Sequence, residues 1–262
     1  MKKYFLYLIL ILSACDTQEK AEDPSIYIAS KETELKKLVE KFPDSLIVRE
    51  SLIQHYREAG NYDKAITETG NAIKKNNNNA RLYNIQGILY FENGDTLTAI
   101  TSFEKAIQFN PAAEYLVSLG LLYAQTKNSK AIILADVLAE EYKVKSEKDA
   151  FFIKGLYYNY TNEKEKAVTF FDKALVLNYT FMDAYREKAI ALYDLEKYNE
   201  ALTVLNKAVT LQNNFDEGYY YKGLVLEKLN RKDEAVESYN RALLYDPEYK
   251  EAKDAIKRLN SN

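Results

Sequence analysis

The sequence predicts an all-α protein assembled from six consecutive helix-turn-helix units with an extra helix at each end, and three observations predict it. Glycine and proline are scarce, 8 and 4 in 262 residues, while Leu, Ala, Lys and Glu abound, which disfavours a turn-rich β fold. Residues 82–111 (LYNIQGILYFENGDTLTAITSFEKAIQFNP) align with residues 218–247 (GYYYKGLVLEKLNRKDEAVESYNRALLYDP) at an offset of 136 residues, four times 34. Gly87 then lies over Gly223, Ala99 over Ala235, Phe103 over Tyr239, Ala106 over Ala242 and Pro111 over Pro247. Finally, Phe151, Gly155 and Tyr158 stand at i, i+4 and i+7, as do Ala167, Phe171 and Ala174, so each trio marks one stripe of an amphipathic helix. A period of this length signals an array whose units bury their apolar faces against their neighbours.

The elements follow in chain order. Lys2 and Lys3 precede an apolar run, Tyr4 to Leu12, of nine residues, about half of the roughly 20 needed to cross a bilayer. The residues Leu12-Ser13-Ala14-Cys15 resemble the lipobox of bacterial lipoproteins. That resemblance implies that residues 1–14 are a cleaved signal peptide and that Cys15 is the lipid-attachment site. An ordinary secretory signal with a cysteine in its cleavage region is the alternative. Two or three acyl chains on one residue suffice for stable anchoring. Residues 15–29 then form the lipidated N-terminus and a flexible tether, because Asp16 to Ser25 is polar, acidic and aperiodic. Residues 30–45 hold a degenerate N-terminal helix, Glu34 to Phe42, ended by Pro43-Asp44-Ser45.

Residues 46–249 hold the six units, at about 46–79, 80–112, 113–147, 148–181, 182–215 and 216–249. Between the two helices of a unit, Gly60, Gly94, Asn162 and Asn230 recur where a helix stop favours the left-handed conformation. Small residues such as Gly155 and Ala167 let paired backbones approach, and Phe171 reads as filling the gap toward the neighbouring unit. The third unit departs from the pattern: Ala131 comes one residue early, Leu138 replaces a small residue, and about two extra residues precede Lys148. An irregular packing angle is expected there. Asn76 to Asn79 falls on a unit boundary and reads as a turn. Residues 250–262 form a C-terminal capping helix with Ala252, Ala255, Ile256 and Leu259 inward.

The recurrent order of aromatic, glycine, tyrosine, alanine, aromatic, alanine and proline resembles the tetratricopeptide repeat (TPR). The resemblance implies a right-handed solenoid and a concave groove, lined by the first helix of each repeat, in which peptides or helices bind. At 100° per residue, Phe152, Leu156, Asn159 and Tyr160 lie opposite the stripe of Phe151, Gly155 and Tyr158. The same offset selects Asn84, Ile88 and Phe91, then Arg186, Ile190 and Tyr193, then Tyr220 and Leu224. The partner-binding candidates are therefore Asn84, Ile88, Phe91, Phe152, Leu156, Tyr160, Arg186, Tyr193, Tyr220 and Leu224, with Arg186 helping orientation. Two readings compete. Ile88, Leu121, Leu156, Ile190 and Leu224 fit burial between adjacent first helices; for Phe91, Phe152, Tyr160, Tyr193 and Tyr220, burial and groove exposure fit equally.

Chemistry is sparse. With 36 basic and 39 acidic residues the net charge is −3, which implies no general attraction to nucleic acid. One cysteine and one histidine exclude an internal disulfide and any multi-His or multi-Cys metal centre, and no metal or cofactor is expected. There is no glycine-rich phosphate loop and no HExxH. Ser51 and His55 are four residues apart on one helix but lack an acid partner. Charged clusters such as Glu163 to Lys166 read as solvated surface, and the Lys and Asn clamp that some TPR domains use for a C-terminal carboxylate is absent. The expectation is a non-enzymatic, lipid-anchored adaptor of a bacterial envelope membrane that captures a peptide or helix of a partner protein. An envelope assembly factor for outer-membrane or pilus components is the alternative, a catalytic role stands well behind both, and a homo-oligomer is compatible with either. The leaflet is left open.

Overall fold

A computed structural model of the protein describes residues 24–261, with side chains from Ser30 onward. The signal peptide, the lipid site at Cys15 and the tether as far as residue 23 lie outside the described residues. Among the described residues all regular structure is helical, in fourteen helices, and none is long and apolar enough to cross a membrane. The chain divides after Pro111 into two units. The first holds α1 (Pro24–Lys41), α2 (Leu46–Glu58), α3 (Tyr62–Lys75), α4 (Ala80–Glu92) and α5 (Thr96–Phe109). The second holds α6 (Ala113–Gln125), α7 (Lys130–Glu141), α8 (Lys143–Tyr160), α9 (Lys164–Leu177) and α10 (Met182–Asp194). It continues with α11 (Tyr198–Leu211), α12 (Asp216–Lys228), α13 (Lys232–Tyr245) and α14 (Lys250–Asn260). Within each unit every helix packs on the next in sequence, and α10 also touches α8 and α12. This is the expected all-α array of helix-turn-helix repeats.

Two boundaries differ from expectation. Residues 24–29 belong to α1 rather than to a tether, and Pro24 stands at its first position, where a missing N–H costs nothing. The fourth repeat begins its first helix at Lys143, not near residue 148, so the extra residues of the irregular third repeat extend α8 to 18 residues. Only Tyr142 separates α7 from α8.

The second, fourth and sixth repeats are each closed by a large ring set over bare backbone. A Cβ added to Gly87 would lie 2.7 Å from the Phe103 ring, one on Gly155 2.5 Å from Phe171, and one on Gly223 2.5 Å from Tyr239. Phe171 therefore fills the space above Gly155 of its own repeat, which corrects the reading that pointed it at a neighbour. Ala167, Phe171 and Ala174 are fully buried. Truncating such a ring leaves a cavity worth about 3 to 5 kcal/mol.

The turns inside the repeats all pass through the left-handed region. Gly60 (φ 69°), Gly94 (φ 90°), Asn162 (φ 66°) and Asn230 (φ 59°) do so as expected, and Lys127 and Glu196 (φ 59° each) occupy the same position without a favourable residue type. For an L side chain that conformation costs about 1 to 2 kcal/mol. Gly94→Ala is therefore expected to lower stability by about 1 kcal/mol or more, while Glu196→Gly leaves it unchanged or raises it by up to about 1 kcal/mol. Urea melts of the two variants check this pair, and loss of stability in Glu196→Gly would show that the turn is not strained.

Candidate functional site

The first helices present one face of each repeat that the ring-over-glycine packing leaves uncommitted. In the first unit that face belongs to α2 and α4. Asn84, Ile88 and Phe91 on α4 are all partly exposed. Two bidentate ion pairs tie α4 to α2 beside them: Arg81 donates to Glu50 at 2.8 and 3.0 Å, and Arg57 to Glu92 at 2.8 and 2.5 Å. Bidentate pairing fixes orientation as well as adding attraction. Asn84 Oδ1 and His55 Nε2 are buried without hydrogen-bond partners. Ser51 donates to the carbonyl of Ile47 at 3.0 Å, so no Ser51–His55 pair forms.

In the second unit the face runs over α8, α10, α12 and α14, and it is partly sealed. Phe152 is only 8 % exposed and Leu156 2 %. The Phe152 ring packs against Phe181 at a centroid distance of 4.8 Å and against Phe171 at 5.8 Å. Phe152 and Leu156 are core, and neither lines a groove. The cause is a row that sequence reading missed: Phe181, Phe215 and Tyr249, 34 residues apart, stand just before the next first helix. Tyr249 covers Tyr220 in the same way, at 4.9 Å, leaving Tyr220 half-buried.

Arg186 is also committed. It is 6 % exposed, and its guanidinium donates to Glu187 and Glu217 and pairs with Asp183 at 2.9 Å. Burial alone would lower its pKa; the carboxylates of Glu187, Asp183 and Glu217 outweigh burial and raise it. The expected orienting role in a groove gives way to a buried network. That network continues through Asn159, which donates to Glu187 at 3.5 Å, to Lys164, which holds Asn159 at 2.7 Å and Asp194 at 2.6 Å. The 31-residue offset from Arg186 to Glu217 recurs in Glu50–Arg81 and Glu227–Arg258, a sequence signal that could have been found. Of the Glu163 to Lys166 cluster, Glu163 and Lys166 pair on the surface, whereas Lys164 is drawn to Asn159 and Asp194 and is not merely solvated.

What stays open is a pocket of about 190 Å³ between α10 and α12, lined by Ile190, Tyr193, Asp194, Tyr221 and Leu224 over Ala189 and Val225. Three residues selected from the helical wheel, Ile190, Tyr193 and Leu224, meet in it. The Tyr193 ring is braced by Tyr198 at 5.4 Å and by the Lys228 ammonium at 5.7 Å. Burial first, then the negative charge of Glu187, pushes the Tyr221 hydroxyl up to about 12, so it stays protonated and can donate. An apolar cavity of about 150 Å³ holds a benzene ring, so the pocket suits one bulky apolar side chain. It is smaller than the roughly 300 to 1,000 Å³ typical of small-molecule sites. Tyr160 is partly exposed on α8 and does not line the pocket.

Comparison with known proteins agrees with this geometry. A sequence profile described as TPR repeat matches residues 189–230, and profiles described as tetratricopeptide repeat match 80–112 and 216–249, the bounds of the second and sixth repeats. The chain carries tetratricopeptide repeats at these residues. It is similar in fold to a tetratricopeptide repeat protein from Parabacteroides merdae ATCC 43184, with 20 % identity and a TM-score of 0.75 over 91 % of this chain and 94 % of that one. PilW, a widely conserved type IV pilus biogenesis factor, is 16 % identical with a TM-score of 0.66 over 80 % and 97 % of the two chains. A thermophilic TPR protein in Thermus thermophilus is 17 % identical with a TM-score of 0.59 over 70 % and 100 %. At these identities the likeness concerns the fold alone. No curated protein matches the chain.

Phe152→Ala and Phe171→Ala should melt alike, each losing about 3 to 5 kcal/mol, since both rings are core; a Phe152→Ala protein with wild-type stability would return that ring to the surface. Glu227 confers a pH dependence. Burial acts to raise its pKa, but hydrogen bonds from Arg258 and Tyr239 outweigh it and lower the pKa below the usual 4.5. A depressed folded-state pKa contributes stability above about pH 4.5 that is lost as pH falls through the folded value. Wild type should therefore lose more melting temperature than Glu227→Gln between pH 6 and pH 3, and equal losses would remove this pairing from the acid response.

Proposed function

We propose that the protein is a lipid-anchored adaptor that captures a segment of a partner protein on the first-helix face of its second unit. The observation that carries this reading is the α10–α12 pocket, where Ile190, Tyr193, Tyr221 and Leu224 form an apolar recess of about 190 Å³ on the first-helix face. An amphipathic or extended segment uses such a recess for one anchor side chain, and its remaining contacts follow the helix edges. Anchoring rests on the Leu12-Ser13-Ala14-Cys15 pattern, which supplies an acylated N-terminus in a bacterial envelope membrane. The fold likeness to PilW supports keeping the assembly-factor alternative, in which the captured partner is an envelope component held transiently.

The adaptor reading is tested in cells with a photoreactive phenylalanine analogue at position 228, where the exposed Lys228 sits over the pocket wall Tyr193, and, as a control, at Val176, which is 84 % exposed on the second helix of its repeat. A discrete protein adduct from position 228 and none from position 176 is expected. Wild type should incorporate a palmitate analogue, and Cys15→Ala should leave an unlabelled precursor or a released protein. Adducts from 176 alone would move the working surface off the first helices, and a membrane-bound but unlabelled wild type would remove the lipid.

A further inference from the structure

Charge beside the α10–α12 pocket is not balanced. Asp194 lines the pocket, and Lys164 holds it at 2.6 Å. On α12, Glu227 accepts from both terminal nitrogens of Arg258 at 2.7 and 2.8 Å. Lys228 differs. It is exposed, its ammonium lies 5.7 Å from the centroid of the Tyr193 ring, a pocket wall, and among the described residues it forms no ion pair.

The repeat register shows why this cation stands alone. Residue 228 comes 34 residues after Asp194 and 136 residues, four repeats, after Glu92. Each of those acids is reached by a cation from the preceding repeat: Lys164 lies 30 residues before Asp194, and Arg57 lies 35 residues before Glu92. Counted back from Lys228, the same two positions are Tyr198 and Tyr193, which meet edge to face at 5.4 Å. An acid is replaced by a lysine, and both cations by tyrosines. The ring face attracts the ammonium and the last turn of α12 suits a positive charge, but neither neutralises it. The carboxylates gathered on Arg186 do not supply the missing charge either. Glu217 lies 11 residues, about 16 Å along α12, from Lys228, beyond the screening length of about 8 Å for exposed charges. An apolar recess therefore has an uncompensated cation over its wall.

We propose that the occupant of this pocket is a partner segment that seats one bulky apolar side chain between Tyr193 and Leu224 and sets an aspartate or glutamate beside it on the Lys228 ammonium. This refines, and rests on, the reading of the first-helix face as a binding surface. The acid is specified because a charged hydrogen bond to Lys228 supplies the compensation that Asp194 and Glu92 receive from their neighbouring repeats. A lysine or arginine there would meet a like charge.

The test uses calorimetry on the full-length chain in mild detergent, with three nine-residue probes built on Gly and Ser and blocked at both ends so that side chains carry the only charges. One has a central Phe flanked by glutamates, one the same Phe flanked by lysines, and one glutamates around a central Ala. The Glu–Phe probe is expected to bind at least about tenfold more tightly than either control. Lys228→Gln should abolish most of the preference for glutamate over lysine, Lys228→Arg should keep it, and Lys228→Glu should reverse it. A residue that only steadied the end of α12 would shift melting without reversing a preference. Leu224→Trp, which fills the recess, should weaken both Phe probes alike; Ile190→Trp repeats that measurement if Leu224→Trp melts early. Equal binding of the Glu–Phe and Lys–Phe probes, or a glutamate preference that survives Lys228→Glu, overturns the proposal. So does a dimer that the Glu–Phe probe dissociates, which would make a second copy the occupant. Failure of both Phe probes to bind overturns it as well. The photo-adduct at position 228 forms with the ammonium already removed, so it reports on whether the face binds a partner at all, and the two failures are distinguishable.

Discussion

The array depends on one steric complement: where one helix of a repeat is small at the contact, its neighbour supplies bulk, and in the second, fourth and sixth repeats this is a ring over bare backbone. Gly87 with Phe103, Gly155 with Phe171 and Gly223 with Tyr239 hold helix pairs close enough that even one added carbon would collide. What is conserved from pair to pair is summed volume, not residue identity. In the fifth repeat Ala189 meets the smaller Leu205 at the same two positions, and in the first Ile53 stands where others have glycine while Thr69 replaces the ring; all four are buried. In the third repeat the second helix has no ring to offer, and Ile153 of the following repeat closes on Gly120 instead. That exchange of partner accompanies the short α7 and the long α8.

A second regularity steadies the outer edge of the same pairs. In four repeats a cation on the second helix sits over the aromatic that opens the first, 22 residues earlier: Lys105 over Tyr83, Lys173 over Phe151, Lys207 over Tyr185 and Arg241 over Tyr219. Each contact is worth only about 0.5 to 1 kcal/mol when exposed. Its effect is directional, since it pins the N-terminal half of each first helix against its own partner. With the core ring on one side and the cation on the other, a first helix has little freedom to rotate. The residues it presents on its remaining face are therefore held in register.

This explains what could be read from residues alone. Gly60, Gly94, Asn162 and Asn230 announce their turns because their side chains suit the left-handed backbone, whereas Lys127 and Glu196 adopt it under the pull of the flanking helices and carry no such mark. The small and large positions were legible from their fixed period, but their pairing was not, since Phe171 read as facing the neighbouring repeat and sits over Gly155 of its own. The site was less so. A helical wheel gives the direction of Phe152 from its own axis but not the presence of Phe181 above it, and Arg186 looks like a surface cation until Glu217 is known to lie opposite. Ile190, Tyr193 and Leu224 meet in one pocket because adjacent first helices repeat the same offset.

The pocket arises where that repetition is interrupted by charge. The fourth repeat has Phe152-Ile153 and the sixth Tyr220-Tyr221 at positions where the fifth has Arg186-Glu187. Phe152 and Ile153 are buried, whereas Tyr220 packs against Tyr249 and Tyr221 lines the recess. The charged pair must instead turn its polar ends toward Glu217, Asp183 and Asn159, and Glu187 is left only 1 % exposed. Desolvating such a network contributes little net stability, and well-packed apolar residues in its place are often at least as stable. What the network does contribute is position: it ties α8, α10 and α12 at the N-terminal half of α10, and the recess lies beside the Ala189 to Asp194 half, where Lys164 pairs with Asp194. A recess bounded by ion pairs on one side and edge-to-face tyrosines on the other is shaped by the protein's own contacts, so under the proposed function a side chain entering it would lose its own freedom but require little rearrangement of the protein.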